Sequence, residues 1–165
     1  MADRWLARAA NRTARIVRRI RQIPWRERVL LVEATVLSQL FKLILARRGF
    51  AGARATANRL ATVTVLALPR VRSAQQARRT GELVDLAGTV PKFTAVCLPR
   101  SLAAFVMLTR RGLRPHLRIG TVLEGNDLRA HAWVELDGQA ITVDSTEEGF
   151  IPFEGNLLKV DHVRS

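Results

Sequence analysis

Cysteine, tyrosine and acidic residues are scarce in this 165-residue chain, and each scarcity excludes a class of chemistry. A single cysteine, Cys97, cannot close an internal disulfide. Without a cysteine pair there is neither a zinc ribbon nor a Cys-x-x-Cys redox motif, so a reducing, cytoplasmic setting is expected. Tyrosine is absent and only three Trp and six Phe remain, too few to interleave with basic residues as a base-stacking platform. No G-x-x-x-x-G-K phosphate loop occurs, and no bound cofactor is expected. Cys97, His116, His131 and His162 lie 19, 15 and 31 residues apart, which fits no compact zinc-ligand pair, so no metal is expected either.

Long uninterrupted apolar runs are missing too. The most apolar stretch, residues 29–45, is broken by Glu33, Gln39 and Lys42 and follows an arginine-rich lead. It reads as a central buried helix, not as a signal or a stable membrane insertion.

What the chain has in excess is arginine. Of 27 basic residues 24 are Arg, against 14 acidic ones, for a formal net charge of +13. Residues 1–120 hold 24 basic and 5 acidic groups, and residues 121–165 hold 3 and 9. The two parts have opposite electrostatic character, and the basic part calls for an anionic partner. Residues 3–21 set Trp5, Ala9, Ile16, Val17 and Ile20 on one helical face and a ladder of arginines on the other. This basic amphipathic helix supports one reading in which the chain is a nucleic-acid-binding or peptide-binding adaptor without catalysis. The absence of RNP-like or zinc-finger motifs and of interleaved aromatics argues against nucleic acid.

Pro24 suits the start of a second helix, which runs to Arg48 and must turn at Gly49. Residues 51–66 and 75–89 read as further helices. Residues 97–111 carry the clearest helix punctuation: Pro99 in the first turn, an apolar body, Arg110 and Arg111 in the last turn, and Gly112 beyond. After Gly112 the period changes to two, and strands over residues 117–123, 128–136 and 139–144 form an antiparallel meander of three strands or more. No repeat, low-complexity tract or linker divides the chain, so residues 1–165 form one domain with a basic helical N-terminal region over 1–68. The fold class is α+β, with N-terminal helices, a cysteine-bearing helix and a C-terminal antiparallel sheet.

Asp137-Gly138 is a strong two-residue hairpin signal, because both turn residues tolerate positive φ. Extending its register sets Leu136 opposite Gln139 and His131 opposite Asp144, with Cβ atoms about 4.5–5.5 Å apart on one face. Trp133 and Glu135 share that face; Ala132, Val134, Ile141 and Val143 form an apolar one. Cys97, at a helix N-terminus, lies in the partial positive charge of unpaired N–H groups that stabilise a thiolate. Packed against the His131 face, the three residues make a Cys-His-Asp constellation in which the imidazole moves the proton and the carboxylate fixes its tautomer.

Five segments, Cys97-Leu98-Pro99-Arg100-Ser101-Leu102, Arg110-Arg111-Gly112, Leu117-Arg118-Ile119-Gly120, His131-Ala132-Trp133-Val134-Glu135 and Asp144-Ser145-Thr146, together resemble successive motifs of one family. That family is the protease half of the lasso-peptide B protein, a leader peptidase related to the transglutaminase-like cysteine protease superfamily. The resemblance implies a transglutaminase-like, papain-like cysteine protease core over residues 75–165, with Cys97 as nucleophile, His131 as general base and Asp144 as its orienting carboxylate. It implies cleavage of a ribosomally made precursor peptide between leader and core. The expected partners are that precursor, a separate leader-recognition-element protein, and an asparagine-synthetase-like lasso cyclase that closes the freed core.

Overall fold

In the computed structural model, which describes residues 18, 20–63, 73–89, 96–124, 127–142 and 150–153, Pro24 caps the first long helix. Helix α1 (Trp25–Thr62) bends at Gly49, where φ 63° and ψ −168° interrupt the helical backbone. Glycine alone adopts that conformation without strain, so the expected break falls where the sequence sets it. The basic helix expected over residues 3–21 lies outside the described residues except at its C-terminal end, where Ile20 packs against the core.

Helix α2 (Ala74–Thr89) starts behind Ser73, whose hydroxyl accepts from the Gln76 N–H at 3.2 Å as an N-cap. Helix α3 (Cys97–Arg110) is the centre of the molecule. Leu102, Ala103, Ala104, Phe105, Val106, Met107 and Leu108 are all buried, and a helix buried on every side must have neighbours on every side. It packs on α1, α2 and the sheet. Burial of each large side chain in this row contributes roughly 1.5–3 kcal/mol.

Four antiparallel strands complete an α+β fold: β1 (His116–Glu124), β2 (Asp127–Leu136), β3 (Gln139–Ala140) and β4 (Ile151–Pro152), in the order β3-β2-β1-β4. The hairpin is the expected one: Asp137 and Gly138 both have positive φ (51° and 76°), and Leu136 pairs with Gln139. This is the primed turn that matches strand twist.

Two sequence expectations need correction. The strand expected over residues 139–144 leaves its ladder early. Ile141 N–H still donates to the Val134 carbonyl at 2.7 Å, but the Val134 N–H is met at 3.1 Å by the Thr142 hydroxyl in place of a backbone oxygen. The physical reason is α2, whose Gly81 lies so close to the Ile141 carbonyl that a Cβ would collide with its oxygen and carbon. The meander of three strands or more has a fourth, β4, which pairs Ile151 with Thr121 and Pro152 with Gly120. Its Pro152 fits only because β4 lies at the sheet edge.

The second correction concerns α1, read as central because it is apolar nearly all round. One side, with Leu31, Ala34, Leu37 and Phe41, is buried, while Trp25, Val29, Val32, Val36, Leu40 and Leu43 are exposed. By length and composition alone, α1 would suffice to cross a membrane. Within that apolar run Glu33 accepts from Arg111 Nη2 at 2.6 Å, and Arg110 Nη1 lies 3.7 Å from its other oxygen. Arg111 is itself 2% exposed and also donates to the Met107 carbonyl at 2.7 Å. Nearer the N-terminus, Arg79 of α2 donates to Glu27 and Glu82, and those bonds raise its guanidinium pKa above the ordinary arginine value.

Candidate active site

Cys97 is the first residue of α3, preceded by Val96 in extended conformation with no side-chain cap. The first-turn N–H groups of a helix have no intrahelical acceptor, so the thiol lies where the backbone presents free donors. Cys97 is half-buried and its thiol is not in a disulfide. One turn on, Ser101 shares its side of the helix; it is 1% exposed and donates at 2.8 Å to the Ala132 carbonyl of β2. That bond fixes the start of α3 against the strand immediately beside His131.

Cys97 and His131 line one small cavity, together with Asp85, Arg100, Ser101, Ala132 and Thr142. Its volume of about 10 Å³ is room for about one water molecule. Asp85 projects from α2, and Arg100 Nη1 lies 3.7 Å from its carboxylate. Sequence reasoning passed over both Asp85 and Ser101. Ser101 stands four residues after Cys97, a spacing that puts both on one side of a helix. Asp85 left no such signal, because only the packing of α2 on α3 brings it to the cavity.

His131 is 8% exposed, and its imidazole is flanked by aromatic rings. Trp133 stacks with it at 6.1 Å between centroids and 12° between planes, and Phe150 approaches at 5.3 Å and 43°. Trp133 is oriented in turn: its Nε1 donates to Glu135 Oε1 at 2.9 Å, while Arg118 Nε donates to Glu135 Oε2 at 2.9 Å across the sheet. The chain Arg118, Glu135, Trp133 thereby sets the ring that lies along the imidazole. Gly120, the β1 partner of His131, makes this possible. A Cβ there would come within 2.7 Å of the Ile151 carbonyl and 2.9–3.0 Å of the Trp133 ring.

The structure therefore brings two of the three expected site residues to one cavity. Asp144, the third, lies outside the described residues, two positions beyond Thr142 of the cavity wall. His116 opens β1, and His162 lies outside the described residues. Among the described residues no group of three or more His, Cys, Asp and Glu side chains could hold a metal ion.

The family profile described as the transglutaminase-like superfamily matches residues 29–153, 125 of the 165 positions. No curated protein and no solved structure gives a significant match.

Proposed function

Because the chain belongs to the transglutaminase-like superfamily, whose members include cysteine peptidases and transglutaminases, we propose that it is a cysteine peptidase that removes the leader from a lasso precursor peptide. The observation that carries this reading is the shared cavity of Cys97, at the start of α3, and His131, on β2. In it the Cys97 thiolate attacks the carbonyl carbon of the scissile peptide bond, and the α3 N-terminal amides receive the developing oxyanion. The C–N bond then breaks as His131 protonates the departing amine of the core. A water deprotonated by His131 attacks the thioester, releasing the leader carboxylate and regenerating the thiol. The cavity's room for about one water beside Cys97 and His131 suits that second step.

Asp144 orients the imidazole in this mechanism. In its favour, it follows Thr142, a wall residue of the cavity, by two positions. The aromatic flank formed by Trp133 and Phe150 keeps solvent from the imidazole and strengthens the interactions it makes. The lasso assignment itself rests on the motifs from Cys97 to Thr146. The same reading includes a cytoplasmic location, a leader-recognition protein acting in trans and a separate cyclase that takes the freed core.

Mass spectrometry of the precursor incubated with this protein and the recognition partner tests the proposal. Wild type is expected to release intact leader and core. Cys97→Ala should release neither, His131→Ala should lose about 10²-fold or more in rate, and Asp144→Ala should be impaired to a lesser degree. Cleavage unaffected by Cys97→Ala refutes the thiol mechanism. An amine adduct of the leader in place of its free acid identifies acyl transfer instead of hydrolysis.

A further inference from the structure

The apolar side chains that α1 leaves exposed are regularly spaced. Trp25, Val29, Val32, Val36 and Leu43 are 70%, 55%, 62%, 60% and 47% exposed, and with the half-buried Gln39 they follow one another at alternating intervals of four and three residues. That is a heptad seam, with Val29, Val36 and Leu43 at the a positions and Trp25, Val32 and Gln39 at d. The opposite side of the helix is packed on α3, and the apolar side chains of the seam are exposed.

The exposed charges on its flanks have one sign. Of the e and g positions, which set partner choice in coiled coils, Arg26 and Arg47 on one side and Arg28 and Lys42 on the other are exposed cations, and the remaining ones are Glu33, Leu40 and Thr35. The carboxylates of α1, Glu27 and Glu33, are turned inward and bound by Arg79, Arg110 and Arg111. We propose that this seam docks an amphipathic helix of an acidic partner protein, with apolar residues at a and d and carboxylates at e and g.

Two other occupants fit less well. A second copy aligned antiparallel sets Arg26 against Arg47 and Arg28 against Lys42; aligned parallel it sets Lys42 against Arg47, and its one opposite-charge pairing, Arg28 against Glu33, meets a carboxylate that Arg111 already holds. A membrane surface favours a broad apolar face with aromatic and leucine residues. This seam is narrow, largely valine, and contains Gln39. The inference stands apart from the peptidase reading, because it concerns the side of α1 facing away from α3 and its test does not use cleavage.

The test uses the full chain and a fluorescent designed peptide of about three heptads with isoleucine at a, leucine at d and glutamate at e and g. A second peptide has lysine at e and g, and vesicles containing phosphatidylglycerol form a third arm. The glutamate peptide is expected to raise anisotropy on binding and the lysine peptide not to. The double substitution Val32→Gln and Val36→Gln, at two exposed positions that a thermal melt should show to be structurally silent, is expected to weaken binding by at least about tenfold. Equal binding of both peptides, equal binding by the double variant, or no binding of the glutamate peptide overturns the proposal. A self-associated chain that the double variant disperses overturns it in favour of a second copy. Vesicle binding abolished by the variant, without peptide binding, overturns it in favour of a membrane surface.

Discussion

The two ends of α3 each bring an arginine to a carboxylate on another helix, and they do so with very different tightness. At the C-terminal end Arg111 meets Glu33 of α1 at 2.6 Å, is 2% exposed and has a second bond to the Met107 carbonyl, while Arg110 donates to the Leu60 carbonyl at 2.8 Å. At the N-terminal end Arg100 and Asp85 of α2 stand 3.7 Å apart beside the cavity of Cys97. A short, charge-assisted and otherwise satisfied pair is rigid, and a long one leaves its side chains room to move. Of the two arginine pairs, the one remote from the cavity is thus tight and the one beside it adjustable, while the Ser101 hydroxyl still holds the start of α3 to the Ala132 carbonyl. One residue pairing serves as a clamp in one place and as an adjustable wall in the other, and the distance together with the second bond of Arg111 decides which.

The sharpest way to break that contrast is to remove the clamp. Arg111→Met keeps an unbranched side chain of similar reach but leaves Glu33 without its closest partner in an apolar helix. Removing a charge-assisted bond to this partly buried carboxylate, which keeps Arg110 at 3.7 Å, costs about 1.5–3 kcal/mol. Chemical denaturation should show a midpoint lowered accordingly with an unchanged slope. A loss below about 1 kcal/mol, the range of exposed pairs, would mean that the C-terminal end is held by apolar packing alone and that the two ends do not differ.

A smaller effect is expected at Gly81, where α2 meets the hairpin. A methyl group there collides with the Ile141 carbonyl, a backbone atom that cannot step aside alone. Gly81→Ala gains helix propensity of roughly 0.5–1 kcal/mol, yet overpacking of this kind typically costs about 1–3 kcal/mol, so a net loss is expected in a thermal melt. Hydrogen exchange at the Val134 amide, which depends on Thr142 being held in place, should speed up as well. A variant as stable as wild type with unchanged exchange would show that α2 does not set the course of the chain after Ala140.

The same spot marks where the sequence stopped being informative. Local signals were legible: positive φ at Asp137 and Gly138, the break at Gly49, and the start of a helix at Cys97 all follow from backbone preferences of the residues concerned. The hairpin register could be counted outward to Ile141. It fails at Thr142 because a hydroxyl takes the place of a carbonyl, and that substitution depends on a glycine some sixty positions earlier in the chain. Asp85 in the cavity wall and the open side of α1 were hidden for the same reason, since tertiary packing and not periodicity determines them. β4 was obscured by Pro152, which reads as a breaker until the edge position is known.

The smallest expected effect sharpens the comparison most at the cavity end. Gly88 lies under Arg100, and a Cβ at that position would collide with Cδ of the arginine side chain. Unlike the Ile141 carbonyl, that atom belongs to a flexible side chain that can swing away. Gly88→Ala should therefore displace Arg100 from Asp85 while changing stability by less than about 1 kcal/mol, the steric cost being offset by helix propensity. If the N-terminal pair acts as an adjustable wall, the displaced arginine alters access to Cys97, and the rate of thiol alkylation by a small neutral iodoacetamide should change severalfold with the melting temperature held. Unchanged alkylation would mean that Arg100 does not screen the thiol. A melting temperature that falls as far as it does for Gly81→Ala would mean that the N-terminal end is as rigidly clamped as the C-terminal one.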